Sequence, residues 1–320
     1  MKPILSWISF NPPAIGGFMP LKQEIIIPGN KEAIKEIPQA KTYRSKERES
    51  EDRNFLPVIV KRIDEATRHP DDVLEKAIHE GIEQHKRSKL SLLLSSVSAG
   101  LILGFAAMSV SMAAQIFNGP ENMIFNRIAM AVVYPLGFII CVMSGTQLFT
   151  EHTATAVYPV LDRRENIKSL MKLWVIVLFG NFLGTFLSSY MIASADQVIL
   201  AKEGFIEVAK HLMSFSFGET VVSAILAGWL MAQGGWLILA TPPASSQILC
   251  IYIVTFIIGL GGLHHSIAGS AEIFGGIFLS DELNLLDGMK TIGASVVGNL
   301  LGGSIFVAIL NYAHIRKAQL

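Results

Sequence analysis

Two short runs of this chain place polar and ionisable side chains inside otherwise apolar sequence. The first is Gly145-Thr146-Gln147-Leu148-Phe149-Thr150-Glu151-His152-Thr153. The second is Gly259-Leu260-Gly261-Gly262-Leu263-His264-His265-Ser266-Ile267-Ala268-Gly269. Thr150 offers one hydroxyl donor and its lone pairs. His265 belongs to the residue type that gains or loses a proton near neutral pH without large tuning. Three glycines within four positions, Gly259, Gly261 and Gly262, weaken a helix by about 1 kcal/mol each relative to Ala. A helix restarting after such a break presents unpaired N–H groups, an electropositive end suited to an anion. The chemistry indicated is passage of a small monovalent anion or its weak acid. His265 would supply positive potential or a proton, and Thr150 a hydrogen bond.

Neighbouring positions are open to two readings. Adjacent helical residues face directions about 100° apart, so His264 and His265 cannot both point at one pore. His264 is read equally as a pore group or as bonded to a neighbouring helix. Leu148 and Phe149 are read equally as core residues or as an apolar constriction that makes an ion shed water. Glu151 and Glu272 each follow an interruption; with His152 and His264 they are candidates for a proton relay or for electrostatic tuning. Paired with a histidine, such a carboxylate could pass protons; unpaired, it would oppose an anion. His79, His85 and His314 are expected at solvent or the membrane surface.

The elements that must hold these groups follow from composition. Charged residues make up 16% of the chain and hydrophobic ones 51%, against about 25% charged in ordinary soluble proteins. Between Thr220 and Ala271 no Asp, Glu, Lys or Arg occurs. A helix needs about 20 apolar residues to cross a bilayer. Uncharged runs at 90–120, 128–150, 173–195, 220–271 and 291–315 supply six spans, since the fourth is long enough for two. A polar run at that depth is tolerated only when buried in protein or lining an aqueous cavity. Both Cys141 and Cys250 fall inside spans, so no disulfide framework is expected. Basic residues at span ends number nine on one side and four on the other, which places both termini in the cytoplasm.

Residues 1–69 read as a poorly structured cytoplasmic region, with mixed charge at 41–53. Its start has no basic n-region and no cleavage site, so no signal peptide is expected, and Met19 is a plausible alternative start. Residues 70–89 read as an amphipathic helix on the membrane surface or against neighbouring subunits, opened by Pro70-Asp71-Asp72. Residues 90–317 form the six-span pore domain.

An internal repeat orders those spans. Gly180-Asn181-Phe182-Leu183-Gly184 in span three matches Gly298-Asn299-Leu300-Leu301-Gly302 in span six. Ser223 to Gly228 in span four has a weaker echo in Ser98 to Leu103 of span one. The interrupted spans precede each GN-x-x-G. With an odd number of spans per unit, the second copy must enter from the other side. The expected fold is all-α and integral to the membrane: two inverted three-helix repeats with broken second and fifth helices meeting at the midplane.

On Leu148-Phe149-Thr150 and His265-Ser266-Ile267-Ala268 the chain resembles the formate/nitrite transporter family, over residues 71–317. The nearer resemblance is to a bacterial inner-membrane branch, through Glu151-His152-Thr153, Ala227-Gly228-Trp229, Ala268-Gly269-Ser270 and Glu272. The resemblance implies an aquaporin-like fold and a homopentamer with one pore per protomer. It also implies Thr150 and His265 as the central polar pair, between hydrophobic slits that include Leu148 and Phe149. Formate channels usually carry Asn where this chain has Gly228 and Gly269, and a vestibule lysine near Leu212, where the nearest bases here are Lys210 and His211. A pore for a neutral molecule such as water or ammonia is the alternative. No H-E-x-x-H zinc pair or G-x-S-x-G nucleophile turn occurs, so no enzyme, metal centre or cofactor is expected, and no nucleic-acid partner.

Overall fold

A computed structural model describes residues 67–317. The expectations for the amino-terminal region and its start fall outside the described residues, apart from 67–69. All regular structure among the described residues is helical, and six helices are long and apolar enough to cross a membrane.

In chain order the helices are α1 (Pro70–Lys86), α2 (Lys89–Ile116), α3 (Met123–Val133), α4 (Pro135–Met143), α5 (Phe149–Leu161) and α6 (Ile167–Ser194). There follow α7 (Lys202–Met213), α8 (Phe217–Ala240), α9 (Ala244–Gly261), α10 (Ser266–Leu279), α11 (Leu285–Leu301) and α12 (Leu310–Lys317). The α3–α4 pair makes one span, and α11, a π-helical stretch Gly302–Ile309 and α12 make another. Short polar caps start several of them: Ser88 for α2, Asn166 for α6, and Ser216 with Glu219 as a capping box for α8.

The same arrangement occurs twice. Helix α1 packs on α5, and α7 packs on α10; α2 packs along α6, and α8 along α11. The close approaches match residue by residue. A Cβ at Gly184 would collide with the α2 backbone at Val97 and Leu101, and one at Gly302 with the α8 backbone at Ile225 and Trp229. Each small-x-x-x-small stripe therefore lets two backbones touch, which is how helices gain contact energy where lipid competes for apolar faces.

The register of the repeat differs from the sequence reading. The partner of Ser223-Ala224 is Ser95-Ser96, three residues before the echo read from sequence. Ser95 and Ser223 make the same backbone contact, as do Ser96 and Ala224. Gly100 is thereby the counterpart of Gly228. Two further contacts fix α1 within the chain, and the second corrects the reading of His85. Helix α1 buries Val73, Leu74, Ala77 and Ile78, and at Gly81 lies against Thr155 and Pro159 of α5 in its own chain. His85 is not on the surface: its fully buried ring sits 2.7 Å from Ser169 Oγ and donates to Ala156 O at 3.0 Å, tying α1 to α5 and α6. His79 and His314 are exposed.

Candidate functional site

Each interruption begins with a glycine in the left-handed region. Gly145 has φ +65° and Gly262 φ +60°, a conformation that ends a helix at little cost only for glycine. The N–H of Leu263 returns to Ile258 O and that of Thr146 to Cys141 O, so the orphan carbonyls of α9 and α4 are partly satisfied. Arg127 Nε adds a donor to Leu260 O at 2.7 Å, placing a cation at the carboxyl end of α9.

The chain that follows is clamped by one asparagine in each half. Asn181 Oδ1 accepts the Phe149 N–H at 2.9 Å, and its amide donates to Ser96 O and Gln147 O at 2.8 and 2.9 Å. Asn299 Oδ1 accepts the Ser266 N–H at 2.7 Å, and its amide donates to Ala224 O and His264 O at 2.8 and 3.0 Å. Ser95 Oγ accepts from Gln147 N and Ser223 Oγ from His264 N, both at 3.1 Å. Sequence reasoning used Asn181 and Asn299 only as marks of duplication and missed this task. Their signal was an amide inside an apolar helix, which must find partners where no water competes.

Between the two clamps Thr150 meets His265. Thr150 Oγ1 lies 2.7 Å from His265 Nε2, and the two residues are 1% and 2% exposed, so the pair is shut off from solvent. His265 Nδ1 accepts the Ala268 N–H at 3.1 Å. A nitrogen that accepts carries no hydrogen, so the ring proton is on Nε2 and donates to Thr150. The Thr150 O–H is left free to donate to a third group. The Phe138 ring presses edge-on against the imidazole, centroids 5.1 Å apart; nothing in the sequence marked it beyond an apolar run. The N–H groups expected to be free at α10 are partly occupied: Asn299 takes that of Ser266, and His265 itself that of Ala268. Across the repeat, Leu148 is the counterpart of His265 and Ile267 that of Thr150. The polar pair is thus made of one group from each half.

The remaining candidates take different places. Leu148 and Phe149 are fully buried, and Phe149 meets Trp174 edge-on at 6.3 Å. Nδ1 of His264 is 2.9 Å from Ser223 Oγ and Nε2 donates to Leu212 O at 3.0 Å, so both ring nitrogens serve the break. Nδ1 of His152 is 3.0 Å from Leu148 O and 3.9 Å from Glu151 Oε2. Glu272 is buried in the second turn of α10. Lys210 is paired with Glu282 at 2.6 Å, which holds the Glu282 carboxyl below its usual range. His211 is exposed; partial burial and then the Arg127 charge draw its imidazolium below the usual range.

Gly228 and Gly269, the two glycines singled out in the sequence, are not alike. A Cβ at Gly228 would collide with the backbone of Asn299, so the close approach of α8 and α11 demands glycine there. A Cβ at Gly269 would meet only Leu212 Cδ1, at 3.8 Å. Gly269 opens on a cavity of about 10 Å³, bordered by His264, His265, Ser266, Ser270, Thr291 and Ser295. A second cavity of about 10 Å³ lies towards the other end of α8 and contains Glu151.

A family model described as formate/nitrite transporter matches residues 71–313. Inner membrane protein YfdC of Escherichia coli (strain K12) is 31% identical over 254 residues, covering 75% of this chain and 79% of its own length. Two solved structures share the fold. An FNT family ion channel aligns with a TM-score of 0.70 over 76% of this chain and 99% of its own, at 17% identity. A pentameric formate channel with formate bound aligns with a TM-score of 0.60 over 71% and 98%, at 18% identity.

Proposed function

The chain belongs to the formate/nitrite transporter family, and from that premise we propose that it passes a small monovalent anion or its weak acid across a bacterial inner membrane. Each protomer of a homopentamer would carry its own pore, with both termini cytoplasmic, and the chain would act as a transporter, not an enzyme. The observation that carries the reading is the 2.7 Å contact of Thr150 Oγ1 and His265 Nε2 where the two interruptions meet.

The geometry suits a weak acid in a particular way. The amino ends of α5 and α10 bring their positive dipole ends towards the same point, which favours negative charge. Thr150 supplies an O–H donor, and His265 fixes its direction. Because His265 Nδ1 is held by the Ala268 N–H, the imidazole is a neutral donor. This assigns His265 the task of orienting and polarising rather than of giving up a proton. The Phe138 ring sets apolar surface against the pair, where a neutral acid is less costly than its anion.

Flux into proteoliposomes tests this. His265→Phe is expected to abolish formate and nitrite uptake while pentamer assembly persists; wild-type rates in that variant would sink the reading. A pore for a neutral solute such as water or ammonia is the second reading, favoured by the buried Glu151, whose Oε2 has no hydrogen-bond partner among the described residues. Swelling with uncharged solutes, set against pH jumps with formate, separates the two.

A further inference from the structure

The cavity at the far end of α8 is walled by apolar surface, with Glu151 among the residues that line it. Val142, Met231, Ile238, Ile251 and Val254 line it together with Glu151. Its other polar side chain, Thr255, donates its hydroxyl to Ile251 O at 2.7 Å. Glu151 is 8% exposed, and its Oε2 has no hydrogen-bond partner among the described residues. Glycines of α8 make the room: a Cβ at Gly235 would sit 3.0 Å from Glu151 O and 3.7 Å from its Cγ. No Lys or Arg lines the space. The titratable groups near Glu151 are His152 beside it, Cys141 of α4 and Glu80 of α1. The His152 ring is engaged by the Leu148 carbonyl. An ionised carboxylate so placed is costly and repels an anion, so the site is suited to a carboxyl that changes protonation as the permeant passes.

We propose that Glu151 is the proton-exchange station of the pore, on the side that the orientation given above makes cytoplasmic. This rests on the weak-acid reading. An anion reaching Glu151 takes the proton of its carboxylic acid: the O–H bond of Glu151 breaks, an H–O bond forms on the permeant, and the negative charge passes to the carboxylate. The neutral acid then crosses at Thr150 and His265. Hydronium from the adjoining aqueous side restores the carboxylic acid. In the reverse direction the carboxylate takes the proton from the arriving acid and releases the anion. Glu151 thus supplies the proton that the backbone-capped His265 does not.

The test uses full-length protein in proteoliposomes holding a pH-sensitive dye, with formate jumps across pH 5 to 8 (roughly the span in which carboxyl and imidazole groups titrate). Wild-type flux is expected to depend on pH, Glu151→Gln to assemble and lose that dependence, and Glu151→Asp to keep it. A Glu151→Gln profile that coincides with wild type overturns the proposal while leaving the pore reading intact. A wild-type protein that moves neither formate nor nitrite overturns both. Should the glutamine variant not assemble, infrared difference spectra of Glu272→Gln protein decide the matter. Formate addition is expected to bleach a protonated-carboxyl band, and a spectrum without carboxyl change overturns the proposal.

Discussion

Thr150 and His265 divide the work of the site by which atoms are already spoken for. The Ala268 N–H occupies one imidazole nitrogen, which leaves the other to donate to Thr150, which in turn leaves the hydroxyl proton for the permeant. Removing that hydroxyl while keeping its shape deletes the bond from His265 and the bond to the permeant; the latter is worth about 1.5 kcal/mol, or about tenfold in rate. Thr150→Val is therefore expected to slow formate flux about tenfold and Thr150→Ser to stay near wild type, read by dye quenching in vesicles; equal rates in the two variants would remove Thr150 from the account. These two residues were legible in the sequence because each interrupts an apolar run. Their tautomeric order was not, because it depends on a backbone N–H three residues on. His264 shows the same limit: its type and place suited a pore, and only the positions of Ser223 Oγ and Leu212 O reveal that both its nitrogens are used. His85 sits on an amphipathic helix whose stripe said nothing of Ser169 approaching from α6.

At the scale of elements, the interruptions are held open by a left-handed glycine, a serine hydroxyl and an asparagine, used in the same way in both halves. The GN-x-x-G pairs, the interrupted runs and the six spans could all be read from residue types, since apolar length and small-residue spacing are local properties. The register of span one could not, because Ser95 and Ser98 differ only in which backbone groups they meet across the bundle. Gly228 and Gly269 looked alike in sequence and differ in space. Gly228 is pressed against the backbone of Asn299, whereas Gly269 borders a cavity. Gly228→Asn is accordingly expected to destabilise the fold by about 3 kcal/mol or more, as overpacking does, with loss of assembly in detergent. Gly269→Asn is expected to assemble with a melting temperature near wild type. Thermal denaturation followed by size exclusion checks both, and the reverse ranking would contradict the helix contact described.

For the whole molecule, the duplication explains why a site with one threonine and one histidine needs two broken helices to build it. Each half provides a scaffold of the same kind, and divergence at the counterparts Leu148 and Ile267 leaves one polar group from each. The outer surface of the spans is apolar: Leu94, Val175, Phe179 and Val222 are each 61% exposed, which suits lipid or further copies of the chain. Polar groups are drawn inward, where Asn181, Asn299, Ser95 and Ser223 tie the interruptions to α2, α6, α8 and α11. The account as a whole holds that a dry, neutral polar pair between these halves passes weak acids. It is tested most directly by the intravesicular pH of wild-type proteoliposomes after matched jumps of formate, nitrite and an uncharged solute. The account predicts rapid internal acidification with formate and nitrite and none with the uncharged solute, each compared with protein-free vesicles. Swelling by the uncharged solute, with formate and nitrite leaving the internal pH unchanged, would contradict it.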